Sequence, residues 1–236
     1  ITLHSNLIGY ASTFLVFSDY MRPSIRLASL MDINSVFIFT HDSIYLGEDG
    51  PTHQPIEHLM SLRLIPNVDV IRPSNSIEID HSYRYAFSDS KNPKVLSLTR
   101  QDLEYLDFDV DYEEFVKGGY VVSDGDDFTI VASGSELEIA FMIKATLLEY
   151  SVRIVSVPIL NKLSNMKNQE INELLKNKHV FPIELGRSIG WESYLGRITK
   201  TFSIDSFGES APIEDLEKNF GIDVPSITKE IIKYLN

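Results

Sequence analysis

Six histidines occur in 236 residues, and two of them, His41 and His53, fall in the stretch THDSIYLGEDGPTHQP (40–55) beside Asp42, Glu48 and Asp49. Three uses fit that composition. Imidazoles and a carboxylate are acceptable ligands for zinc or manganese. An imidazole that is neutral near pH 7 exchanges a proton or hydrogen bond with a substrate. The third use is a solvated polar loop. The metal reading is the weakest, because the His41, Asp49, His53 spacing (H-x7-D-x3-H) matches no established ligand pattern and neither HExxH nor an EF-hand is present. Asp49 sits between Gly47 and Gly50, a backbone permissive enough to aim a carboxylate into a cleft. His53 precedes a helix expected from Pro55, whose positive end disfavours imidazolium.

A second pair of groups is linked by topology. The runs VFIF (36–39) and VLSL (95–98) read as buried strands, and His41 and Arg100 each follow one of them after a single residue. If the strands are parallel, both side chains reach the carboxyl edge where open α/β sheets bind ligands. There a guanidinium fork suits a phosphate, each bond to a charged group contributing about 1.5–3 kcal/mol. The competing reading pairs Arg100 with Asp102. Phe14, Phe17 and Tyr20 recur every three residues in STFLVFSDY. A strand turning into a loop or helix gathers them around a flat ring; otherwise they are core aromatics.

The elements that must position these groups alternate between strand-like and helix-like runs. TFLVFS (13–18) reads as a strand, followed by a helix carrying Ile25, Leu27, Ala28, Leu30 and Met31 with Pro23 in its opening turn. PIEHLMSLRLI places Ile56, Leu59, Met60 and Leu64 on one helical face. The rhythm repeats through FTIVAS, ELEIAFMIKATLLEY, VRIVSVPI, QEINELLKN and VFPIEL. Such alternation predicts two consecutive three-layer α/β domains with mostly parallel sheets, over 1–100 and 125–236. Between them the acidic run QDLEYLDFDVDYEE opens an expected connector, 101–124. In the second domain ASGSE (132–136) puts Gly134 and Ser135 at a helix start, as a serine-capped turn or an anion site. Trp191 and Tyr194 suit either the core or a subunit contact.

Bulk composition narrows the function classes. Net charge is −13, from 34 acidic and 21 basic residues, which argues against nucleic acid or an anionic membrane surface as the main partner. No apolar run approaches a membrane span. The absence of cysteine excludes disulfide and thiol chemistry and fits a cytoplasmic location. The opening ITLHSNLIGYAS has no methionine and reads like the middle of a fold, so a piece of a longer protein is expected.

STFLVFSDYMRPSIR, THDSIYLGEDGPTHQPIEHLMSLRLIPN, LTRQ and FGESAP together resemble the C-terminal half of the transketolases, through nearly the whole chain. That resemblance implies thiamine-diphosphate-dependent transfer of a two-carbon ketol unit from a ketose phosphate to an aldose phosphate, in a homodimer. It implies that Phe14, Phe17 and Tyr20 line the cofactor's pyrimidine pocket, and that His41 and Arg100 hold substrate phosphate. Asp49 then contacts the hydroxyl next to the carbonyl, and His53 lies beside the reacting carbons. Magnesium, the diphosphate and an activating glutamate are expected on residues outside this sequence, so the isolated 236 residues are expected to be inactive. Ser5-Asn6 stands where the family commonly has two glycines, and Gly9 where it often has proline, which leaves the path of residues 4–12 open. The readings from other classes are a catalytically silent binding or assembly subunit and a metal-dependent hydrolase.

Overall fold

The computed structural model describes residues 1–88 and 91–235. Its first sheet consists of β1 (Tyr10–Phe14), β2 (Val36–Thr40), β3 (Asp69–Ile71) and β4 (Lys94–Ser97), in the order β1-β2-β4-β3. All its pairings are parallel. Parallel strands need crossovers, and α1 (Ser18–Leu30), α2 (His58–Arg63) and α3 (Ser76–Ala86) supply them. Strand alternation sorts the core onto two faces. Phe37 and Phe39 pack with Ile25 of α1 and Leu59 and Leu62 of α2. Val36 lies on the opposite face with Ile71, Leu96 and Ala86 of α3.

After α4 (Tyr112–Phe115) comes a second, five-stranded sheet. Its strands are β5 (Tyr120–Ser123), β6 (Phe128–Ala132), β7 (Val152–Ser156), β8 (His179–Glu184) and β9 (Phe202–Ser203), ordered β5-β7-β6-β8-β9. Only β5 runs antiparallel among the described strands. One face of this sheet, through Phe128, Ile130 and Ala132, packs on α5 (Glu136–Thr146), α8 (Ile213–Phe220) and α9 (Val224–Leu235). The other, through Val131, Val155 and Val180, packs on α6 (Asn168–Leu175) and α7 (Trp191–Leu195). The α/β class with two mostly parallel sheets is therefore the observed one. No helix among the described residues is long and apolar enough to cross a membrane.

Several local expectations are corrected. The run TFLVFS is not one strand: β1 stops at Phe14, a 3-10 turn occupies Leu15–Phe17, and α1 begins at Ser18. A continuous apolar run conceals that break, because buried Leu15 anchors the turn in the same core as the strand. Pro23 accordingly lies inside α1. Helix α2 begins at His58, so Leu64 falls beyond its end and is exposed. Residues 101–124 are not only a connector, because β5 extends the second sheet by pairing with β7.

Candidate active site

Strands β2 and β4 lie side by side with Phe39 opposite Ser97, and the Leu98 N–H donates to the Phe39 carbonyl at 2.8 Å. The two chains leave the sheet together and deliver His41 and Arg100 to one edge. His41 turns there with φ 60°, a left-handed conformation that costs a non-glycine residue roughly 1–3 kcal/mol. Its ring lies on Phe14, the last residue of β1, with centroids 3.7 Å apart and planes inclined by 23°. Its Nδ1 is 2.9 Å from Thr40 Oγ1. Burial lowers the His41 pKa below 6.5 and the Arg100 charge lowers it further, against the opposing pull of Asp49 and Asp42. Arg100 and Asp49, both exposed, thus act electrostatically on the same imidazole.

The rings continue from His41 in an unbroken chain. Phe14 stacks with Phe17 at 6.1 Å, Phe17 meets Tyr20 at 6.2 Å, and the edge of His53 approaches Phe17 at 5.5 Å and 82°. The change from strand to 3-10 turn to helix between Phe14 and Ser18 makes this possible, since a straight strand would alternate the rings across its faces. Tyr20 is 84% exposed, so it is no core aromatic. Phe14 and Phe17, with planes inclined by 15°, offer an apolar surface beside the two hydrogen-bonding imidazoles.

The segment carrying Asp49 and His53 is held from outside its own domain. Gly47 (φ 76°) and Gly50 (φ 77°) bend it on either side of Asp49. Gln54 Nε2 donates to the carbonyls of Gly47 (2.8 Å), Ile44 (3.3 Å) and, from the second domain, Glu209 (2.9 Å). Ser210 Oγ donates to the Glu48 carbonyl and Tyr45 Oη to Glu217 Oε1 at 2.7 Å. A Cβ on Gly208 would lie 1.7 Å from Gln54 Oε1, so any side chain there must displace the Gln54 amide. Sequence reasoning missed Gln54 and Gly208 as contributors; the FGESAP run (207–212) was the available signal.

Other expectations change. The helix invoked to neutralise His53 starts five residues later, at His58, which removes that argument; His53 Nδ1 instead lies 2.9 Å from Thr52 Oγ1. The donor group close enough to share a cation among the described residues is Asp19, Glu57 and His58, and not His41, Asp49 and His53. The ASGSE turn meets a cation rather than an anion: Arg72 packs on Gly134 and pairs with Glu136, and Ser135 makes no capping bond. Trp191 is core, with its indole N–H donating to Glu184 at 2.8 Å.

Comparison with known proteins agrees with this architecture. The transketolase pyrimidine-binding domain matches residues 1–104, and the transketolase-like C-terminal domain matches residues 118–223. The chain is 39% identical to a transketolase of Bacillus subtilis over 99% of its own length and 37% of that relative's. To the chloroplastic transketolase of Zea mays it is 40% identical, covering 96% of this chain and 35% of the relative. The transketolase of Leishmania mexicana superposes with a TM-score of 0.90 at 36% identity, over 97% of this chain and 34% of that one. A Pichia stipitis transketolase in complex with sedoheptulose 7-phosphate does so with a TM-score of 0.88 at 32% identity, over 96% and 34%. The chain thus spans little more than a third of these relatives' length. With two domain models in series along nearly all its residues, it belongs to the transketolase family, as the pyrimidine-binding and C-terminal domains.

Proposed function

We propose that this chain is the C-terminal part of a thiamine-diphosphate-dependent transketolase, moving a two-carbon ketol unit from a ketose phosphate to an aldose phosphate in the cytoplasm. The observation that carries this reading is the continuous path from Tyr20 and Phe17 through Phe14 to His41, with Arg100 and Asp49 acting on His41. Phe14, Phe17 and Tyr20 form an aromatic surface suited to a pyrimidine ring, and exposed Tyr20 leaves it open to one. When bound, thiamine diphosphate supplies the electron sink that lets the bond beside a ketose carbonyl break.

The chain's own residues bind and orient the sugar. Arg100 and His41 hold the phosphate at the sheet edge, Arg100 by its fork and His41 by a ring nitrogen. Asp49 accepts a hydrogen bond from the hydroxyl next to the carbonyl. His53, held at the edge of Phe17, exchanges a proton or hydrogen bond with the donor's hydroxyl beside the reacting carbons. Magnesium and the diphosphate are assigned to a domain outside these 236 residues, which alone should give no ketol transfer.

The test is steady-state kinetics on the full-length protein containing this chain, with thiamine diphosphate and magnesium. Arg100→Met should raise KM for a ketose phosphate about tenfold or more with kcat little changed, the pattern of lost uniform binding. An unchanged KM removes Arg100 from the phosphate site. Absence of any ketol transfer by the unsubstituted protein removes the reading itself and favours a silent assembly subunit.

A further inference from the structure

Arg72 follows β3 at the carboxyl edge of the first sheet and is fully buried, although no role at the site falls to it directly. Its Nε and Nη2 both lie 2.9 Å from Asp42 Oδ2. Its Nη1 and Nη2 donate to the two carboxylate oxygens of Glu136, at 3.0 Å each, and Nη1 reaches Ser133 Oγ at 3.3 Å. The backbone is tied as well: the Arg72 N–H donates to the Pro158 carbonyl at 2.9 Å, and the Gly134 N–H donates to the Arg72 carbonyl at 3.0 Å. Gly134 has φ 60°, and a Cβ there would lie 3.1 Å from the guanidinium carbon.

Glu136 is itself fixed. It accepts the Leu185 N–H at 2.6 Å and Ser135 Oγ at 2.9 Å. Glu184 lies 3.6 Å from Arg72 and grips Arg63 at 2.7 Å. Three buried carboxylates, Asp42, Glu136 and Glu184, thus share two buried guanidinium groups, Arg63 and Arg72. Such networks add little net stability over apolar packing, because desolvation offsets the attraction. What the fork does supply is direction.

That direction bears on the substrate edge. Asp42 is the neighbour of His41, which sits in its left-handed turn, and Asp42 Oδ2 also accepts Ser97 Oγ at 3.3 Å from the end of β4. Asp42 therefore ties the strand end that delivers His41 to the strand end that delivers Arg100. We propose that Arg72 is a positioning residue: clamped by Glu136 of the second domain, it holds Asp42 so that His41 keeps its turn and its spacing from Arg100. This deepens the reading of His41 as a phosphate-holding residue and rests on it. It also gives the second domain a part in substrate binding.

The stack of His41 on Phe14 supplies a readout independent of activity, because a ring 3.7 Å away shifts the imidazole proton signals upfield. In histidine-labelled full-length protein, that shift, assigned with His41→Gln, should be lost in Arg72→Met. Kinetically, Arg72→Met should raise KM for a ketose phosphate about tenfold, with kcat and the KM for an unphosphorylated ketose changed less than about twofold. A merely structural role would lower kcat for both substrates alike. The double variant Arg72→Met/Glu136→Met, which removes one of the two buried carboxylates left without the guanidinium, should regain part of the thermal stability without regaining the shift. If the Met variants do not fold, Arg72→Lys carries the same test, keeping the charge and losing the fork. Retention of the His41 shift in a folded variant overturns the proposal, as does its return in the double variant. Loss of the shift in a protein that performs no ketol transfer leaves the positioning intact and sinks the functional reading instead.

Discussion

His41 shows how a single side chain is set by its surroundings. Its pKa lies below 6.5 because the ring is partly buried and Arg100 stands nearby. The sign of the pH effect follows. Above 6.5 the ring is neutral folded or unfolded and contributes no slope. As pH falls from 6.5 towards the lowered value, the unfolded chain takes up the proton first, so the folded form loses stability. Acid unfolding of the full-length protein should therefore be less pH-sensitive in that window for His41→Gln than for the unsubstituted chain. Equal slopes would contradict the depressed pKa. Arg100→Met should move the His41 titration, followed by NMR, back towards 6.5. The residues of this edge were legible in the sequence, because ring types, spacing and strand ends are local features. Their supports were not: Arg72 pairs with Asp42 across 30 positions and with Glu136 across 64, distances over which sequence pattern is silent.

At the scale of elements, the 3-10 segment Ile44–Asp49 depends on support from distant residues. Gln54 bonds two of its carbonyls and one of the second domain, and Gly208 leaves room for that amide. Gly208→Ala must expel the amide from its place, breaking buried hydrogen bonds worth about 1 kcal/mol each, more where a partner stays unsatisfied. We expect Gly208→Ala to destabilise by about 2–3 kcal/mol. In Gln54→Ala background the same change should cost much less, because the clash is gone. Additive costs in denaturant titrations would show that the two residues are not coupled. The elements themselves were largely readable from apolar periodicity. The exceptions are instructive: TFLVFS hides a turn inside a uniform apolar run, and β5 was lost because KGGYVVSDGDD combines turn residues with a short strand at a sheet edge.

For the whole molecule, the helix that presents Tyr20 exposes Leu27 and Leu30, with Met31 just beyond its end, an apolar surface that suits the homodimer implied by the transketolase resemblance. Leu30→Glu should weaken that dimer about tenfold or more in sedimentation experiments, and an unaltered association would argue against this face. The two-sheet architecture was legible as alternation of strands and helices, whereas the clasp between domains was not, since it depends on side chains from opposite ends of the chain meeting in the core. On the reading proposed above, the aromatic surface and the His41–Arg100 edge form one site. A crystal structure of the full-length protein with thiamine diphosphate and a ketose phosphate tests it most directly. A single site requires the pyrimidine ring against Phe14, Phe17 and Tyr20, with the sugar's phosphate bonded to Arg100 and His41 and its reacting end at His53. A phosphate held elsewhere, with Arg100 and His41 in solvent, would contradict it.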